Sequence, residues 1–228
     1  MRFVIMAAVL AAGTCPAEVL FSDDFEDGVA DGWTELPTGA SYYVSEGWYV
    51  LEFAAADEVT AGTYSGDTGS GMSVADYSIL LEVTPRAGTG GPWARLGTGS
   101  MTGYTLLLDP ESDLVAILKC NAAGDPEVLS ATTEDLHYNQ PYWVRFEVCG
   151  DLLGGKVWTG PSSLEPSTWL LMANDVAYAD AGWVCLFSHD SDPGGEASLD
   201  FMFDNVEVSD DLTLELSAGT WASIKAAF

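Results

Sequence analysis

Short runs in which every second residue is apolar recur along the chain, bounded by Gly, Pro, Asn and Asp clusters. Tyr77-Ser78-Ile79-Leu80-Leu81-Glu82-Val83 and Trp143-Val144-Arg145-Phe146-Glu147-Val148 are typical. A period of two is the signature of a strand with one face buried. The pattern predicts strands at 19–21, 42–44, 48–53, 77–84, 93–96, 104–108, 114–120, 127–131, 142–149, 152–158, 182–187 and 198–208. No comparable helical stripe precedes the C-terminal tail. Short strands at this spacing with no linker between them predict an all-β fold, an antiparallel β-sandwich of two packed sheets over residues 18–208.

One hairpin is predicted residue by residue. With Gly150-Asp151 as a two-residue turn, Cys149 faces Leu152, Glu147 faces Gly154, Arg145 faces Lys156 and Trp143 faces Trp158. Alternation then sends Val144, Phe146, Val148, Leu153 and Val157 inward. Trp143, Arg145, Glu147, Lys156 and Trp158 share the other surface. Trp93 and Arg95 are expected to project beside them from a neighbouring strand.

The ends of the chain read differently. Arg2, the apolar run Phe3 to Ala12 and the small residues up to Ala17 predict a signal peptide over 1–17 and hence a secreted protein; ten apolar residues are too few to anchor in a bilayer. Residues 209–228 read as a linker and a short tail. Leu212, Leu214 and Leu216 alternate, and Trp221, Ile224 and Phe228 fall on one face of a short helix that Thr220 caps. Such a tail either docks on its own sandwich or serves a sorting or surface partner.

The chain has 228 residues, with 35 Asp and Glu against 7 Lys and Arg, a formal charge of −28. That charge repels nucleic-acid phosphates and anionic membranes, so nucleic-acid binding is excluded. It implies no cationic partner by itself, since a solvated acidic surface has the same composition. Cys120, Cys149 and Cys185, an odd set with no Cys-x-x-Cys pair, fit either small buried hydrophobes or one bridge plus one thiol.

The order of several motifs carries a resemblance: Asp23-Asp24-Phe25 with Gly32-Trp33, Glu46-Gly47-Trp48-Tyr49-Val50-Leu51, Trp143 to Val148, Lys156-Val157-Trp158, Glu165-Pro166 with Trp169, Gly182-Trp183-Val184, and Phe203-Asp204-Asn205-Val206-Glu207-Val208. Together they resemble the concanavalin A-like lectin and glucanase jelly rolls, in particular the laminin-G-like modules of secreted bacterial proteins. The resemblance covers about residues 20–208. It implies two curved antiparallel sheets and a carbohydrate partner, a glycan or polysaccharide. By likeness to the laminarinases and lichenases it also implies a structural Ca2+ held by the carbonyls of Asp24 and Gly47 and the carboxylate of Asp204. Ca2+ takes six to eight hard oxygens, and pinning both chain ends closes a long loop. Asp204 equally suits a hydrogen-bond acceptor at a strand end.

The hairpin cluster suits a sugar. C–H faces stack on Trp rings while hydroxyls take donors and acceptors such as Arg and Glu. The same residues also suit plain cross-strand pairing. The related glucanases carry Glu-x-Asp-x-x-Glu on one strand, a spacing that sets two carboxylates on one face. Here the nearest string, Glu111-Ser112-Asp113-Leu114-Val115-Ala116, ends in Ala. The expectation is a non-catalytic carbohydrate-binding module. A structural or adhesive surface protein, and a glycosidase or lyase using Glu147 and Glu82, stand as alternatives. The acidic stretch from His189 to Glu196 reads as a solvated turn, because Phe201 stands where a helix-flanked calcium loop needs Glu.

Overall fold

The computed structural model describes residues 17–56, 59–122, 126–190 and 197–214. The proposed signal peptide, the loop after Asp190 and the predicted tail helix lie outside these residues, apart from Ala17. The strands are β1 (Val19–Asp23), β2 (Thr34–Glu35), β3 (Ser41–Ser45), β4 (Trp48–Ala56), β5 (Val59–Ser65), β6 (Tyr77–Ala87), β7 (Thr89–Gly97) and β8 (Thr102–Asp109). They continue with β9 (Leu114–Cys120), β10 (Pro126–Thr133), β11 (Tyr142–Cys149), β12 (Leu152–Trp158), β13 (Leu171–Asn174), β14 (Trp183–Asp190) and β15 (Ala197–Ser209), with one 3-10 turn at Ser162–Leu164.

Every predicted strand forms. Three more, β2, β5 and β13, escape the pattern. β5 turns Ala61, Thr63 and Ser65 inward, residues too small or polar to register as an apolar face, and β2 and β13 are short. The strands build two antiparallel sheets. The first has eight strands in the order β13-β12-β11-β6-β15-β4-β3, with β1 also on β15; the second has seven, β10-β9-β8-β7-β14-β5-β2. β1 and β4 lie end to end along the same side of β15. β4 pairs with its first half (Tyr49 opposite Phe203) and β1 with its second (Asp23 opposite Val206).

The two inner faces enclose one core. Ile79, Leu81, Val83, Val144, Phe146, Val148, Leu153, Phe201 and Phe203 come from the first sheet, meeting Tyr104, Leu106, Leu108, Val115, Ile117, Val184 and Leu186 from the second. Burial of these side chains is the main driving force for folding.

The β11–β12 hairpin has the predicted register from Trp143 opposite Trp158 to Cys149 opposite Leu152. β7 is the correction. Trp93 and Arg95 stand on the second sheet, because the chain leaves β6 at Ala87, turns at Gly88 and enters the other layer. Gly88 has φ 78°, and a Cβ there would lie 2.8 Å from the carbonyl oxygen of His189, so glycine is required at this crossing. Strand periodicity carries no information about such a change of layer.

No disulfide joins the described cysteines. Cys185 is wholly buried and Cys120 partly so; burial pushes the Cys120 thiol up to about 11. The hydrophobe reading fits both.

Truncating Phe146, fully buried at the centre of the first sheet, should cost about 3–5 kcal/mol, the range for a large aromatic core side chain. Denaturant unfolding of Phe146→Ala checks this; a change under about 1 kcal/mol would place the side chain outside the core.

Candidate functional site

The registers of β15, β6, β11 and β12 align the outward side chains of the first sheet into rows. One row runs Asp204, Glu82, Trp143, Trp158; the next runs Ser22, Glu207, Leu80, Arg145, Lys156; a third runs Ser209, Ser78, Glu147, Gly154, Met172. The five hairpin residues predicted to share a surface therefore do share it. That surface is covered over one half and open over the other.

The cover is the connection from β12 to β13. Glu165 reaches back over the hairpin and accepts from Arg145 Nε and Nη2, both at 2.9 Å, and from Lys156 Nζ at 2.7 Å. Arg145 Nη1 also donates to Ser78 at 2.7 Å, and Lys156 Nζ lies 4.5 Å above the ring of Trp169. The two cations hold the Glu165 carboxyl below its ordinary value even though burial works against this. Both cationic side chains are nearly buried, at 11% and 6% exposure.

Glu147 is fully buried. Its carboxylate accepts from the Leu214 N–H at 2.6 Å and the Thr213 hydroxyl at 3.1 Å. Burial raises its pKa against those hydrogen bonds. Leu214 sits where a Cβ on Gly154 would be, 2.8 Å away, and Trp169 is equally close. The start of the C-terminal segment thus docks on the sandwich. Arg145, Lys156 and Glu147 spend their polar atoms on protein, and Glu147 lies out of reach of a substrate.

Trp93 and Arg95 do not join this surface. Trp93 packs edge-on against Phe187, with ring centroids 5.5 Å apart, on the far face of the second sheet; its indole N–H is buried without a partner. The Arg95 guanidinium is buried and ties three loops. It donates to the carbonyls of Ala75, Gly150 and Tyr178 at 2.8–3.0 Å and to Asp76 at 2.9 Å. Arg95 therefore meets the β11–β12 hairpin at its Gly150 turn.

The uncovered half of the first sheet holds a cleft of about 510 Å3. Its lining is Ser22, Asp23, Asp24, Asp27, Leu80, Trp143, Ser162, Asn205, Val206 and Glu207. Trp143 stacks on Trp158, rings 22° from parallel with centroids 6.4 Å apart, and Trp158 is 7% exposed. A buried ring thus supports one that borders the cleft. Asp23 is committed to structure, accepting from the indole N–H of Trp33 and the N–H of Phe25, both at 2.9 Å.

Beside the cleft, β15 is irregular. Its pairing with β6 slips between Asp204 and Glu207, and Asn205 has φ 50°. This bulge lies where the end of β1 meets the start of β4, so Asp24 and the Glu46-Gly47 turn both approach Asp204. A Cβ on Gly47 would lie 2.9 Å from Glu26. Burial, then the charges of Glu82, Glu26 and Asp24, push the Asp204 carboxyl up to about 6, although the Asn205 N–H donates to it at 2.6 Å. The donors at this junction are hard oxygens, which suit Ca2+. Among the described residues no three His, Cys, Asp or Glu side chains converge as a ligand set. Asp24, Gly47 and Asp204 of this junction were singled out through the resemblance, whereas Glu26 and Asp27 were signalled only by the run Asp23-Asp24-Phe25-Glu26-Asp27.

A scan against protein-family models found no match, and neither did a search of curated proteins. Solved structures match over most of the chain. Carbohydrate-binding module CBM66 from Bacillus subtilis superposes with TM-score 0.60 at 16% identity, covering 78% of this chain and 94% of the module. The exoplasmic/lumenal domain of VIP36, in its Ca2+/Man3GlcNAc-bound form, gives 0.62 at 8% identity over 86% of this chain and 91% of that one. The catalytic domain of an endo-1,3-β-glucanase (laminarinase) from Thermotoga petrophila RKU-1 gives 0.57 at 12% over 86% and 98%. This chain has the concanavalin A-like jelly-roll fold.

Two outcomes check the site's electrostatics. Glu165→Ala leaves two nearly buried cations without their carboxylate and should cost about 3 kcal/mol in denaturant unfolding, the low end for a broken buried pair. The carboxyl of Asp204 ordinarily titrates near 4 and here near 6, so the stability it contributes is full below about 4 and lost as pH rises to about 6. In metal-free buffer Asp204→Asn should therefore flatten the fall in midpoint between those values, and an unchanged slope would contradict the assignment.

Proposed function

We propose that this protein is a secreted, non-catalytic carbohydrate-binding module that takes its glycan in the cleft on the first sheet. The observation that carries this reading is the cleft itself. It is of ligand size and has one supported indole on its border, with carboxylates, hydroxyls and an amide around it. Trp143 offers a flat face to sugar C–H groups, while Asp24, Asp27, Glu207, Ser22 and Ser162 supply oxygens for hydroxyls. The similar structures support it: one is a carbohydrate-binding module and another is a lumenal domain bound to Man3GlcNAc. The missing Glu-x-Asp-x-x-Glu string and the sealed Glu147 support a module that binds without cleaving. Secretion is supported by the charged start and short apolar run at residues 2–12.

A Ca2+ ion held by the Asp24 and Gly47 carbonyls and the Asp204 carboxylate belongs to the same proposal. It would offset the negative charge around Asp204 and brace the β1–β4 junction that forms one wall of the cleft. Chelation should lower the thermal midpoint of the wild-type protein and leave Asp204→Ala unmoved; an equal midpoint with and without chelator would remove the ion.

Trp143→Ala should weaken retention on an immobilised glycan chosen from an array by about tenfold, the value of a stacking contact near 1.4 kcal/mol, with the thermal midpoint preserved. Undiminished retention would remove Trp143 from the site.

A further inference from the structure

Every base of the described chain is committed to an internal carboxylate. Arg86 pairs with Asp200 at 3.1 Å, Arg95 with Asp76 at 2.9 Å, and Lys119 with Glu127 at 2.7 Å and Asp175 at 2.9 Å. Arg145 and Lys156 share Glu165. None of these five lines the cleft. Asp24, Asp27 and Glu207 do line it, and among the described residues no cation pairs with any of the three. The cleft therefore combines an aromatic ring, a volume far larger than an ion needs, and unneutralised negative charge on a chain of formal charge −28.

We infer that the ligand of this cleft is an amino sugar, an oligosaccharide of glucosamine type with free protonated amines. This rests on the carbohydrate-binding reading and names the class of glycan. A ring of this kind meets both features at once. Its C–H face lies on Trp143 while its ammonium group donates to the carboxylates and is drawn to the indole face. Uronic acid and sulfated glycans would bring like charge against three carboxylates and are repelled. Neutral and N-acetylated sugars keep the stacking and lose the ion pairing. A lone metal ion uses neither the ring nor the volume.

Binding by the whole protein is measured calorimetrically at low and at high salt, with hexamers of glucosamine, of N-acetylglucosamine and of neutral glucose, and with hexalysine. The glucosamine hexamer should bind about tenfold more tightly than the other two sugars at low salt, an advantage of about 1.4 kcal/mol. High salt should erase that advantage. The triple variant Asp24→Asn, Asp27→Asn, Glu207→Gln should level the three sugars. Trp143→Ala should weaken the glucosamine hexamer in both salts. Equal affinity for all three sugars at low salt overturns the amine preference and leaves the glycan reading intact. Hexalysine matching the glucosamine hexamer, with Trp143→Ala without effect, also overturns it. Binding of no sugar at all fails both readings together.

Discussion

One carboxylate decides which part of the first sheet is a surface. Glu165 clamps Arg145 and Lys156 from above, and by doing so lays residues 159–170 across the β11–β12 hairpin. Nearly buried cations are costly unless paired and hydrogen-bonded, so the clamp fixes the position of the connection more than it adds net stability. Its consequence is geometric. Trp169 comes to lie against Lys156, and Ser162 becomes the rim of the neighbouring cleft. The aromatic pair straddles the boundary. Trp158 lies beneath the cover, and Trp143 stacks on it at the margin.

The opposite wall depends on a discontinuity. β15 is the longest strand, and no single strand accompanies its outer side; β1 and β4 share it, and the bulge at Asp204–Asn205 marks their junction. A bulge at such a place re-aims side chains and breaks the ladder. Here burial, and then the charges of Glu82, Glu26 and Asp24, push the Asp204 carboxyl up to about 6. Of these four carboxylates only Asp24 also lines the cleft, so the proposed calcium and the proposed ligand amine meet at that residue.

Local features of the fold were legible in the sequence, and their assembly was not. The β11–β12 register followed from period-two alternation and one Gly-Asp turn, since a slip of one residue would have put Phe146 and Val148 in water. The sharing of a face by Trp143, Arg145 and Glu147 followed from the same alternation. Exposure did not follow, because Lys156 and Glu147 are buried by residues outside the hairpin, Glu165 and Trp169 in the connection after it and Thr213 and Leu214 66 and 67 positions beyond Glu147. Sheet membership did not follow either. Gly88 moves the chain between layers in a single residue, carrying Trp93 and Arg95 away from the hairpin. The cleft joins β1, β6, β11 and β15, strands brought together by topology alone; of its lining only Trp143 and Asp24 were given a site role from the sequence, and Asp23, Asn205, Val206 and Glu207 stood only within motifs that carry the resemblance.

Titration of the labelled protein with an oligosaccharide, followed through its indole and side-chain amide N–H resonances, asks whether ligand meets the first sheet at Trp143. The Trp143 indole and the Asn205 amide should move, with the Trp93 and Trp183 indoles of the second sheet unmoved. Movement of Trp93 or Trp183 with Trp143 stationary would contradict it, and would place recognition on the other face of the sandwich.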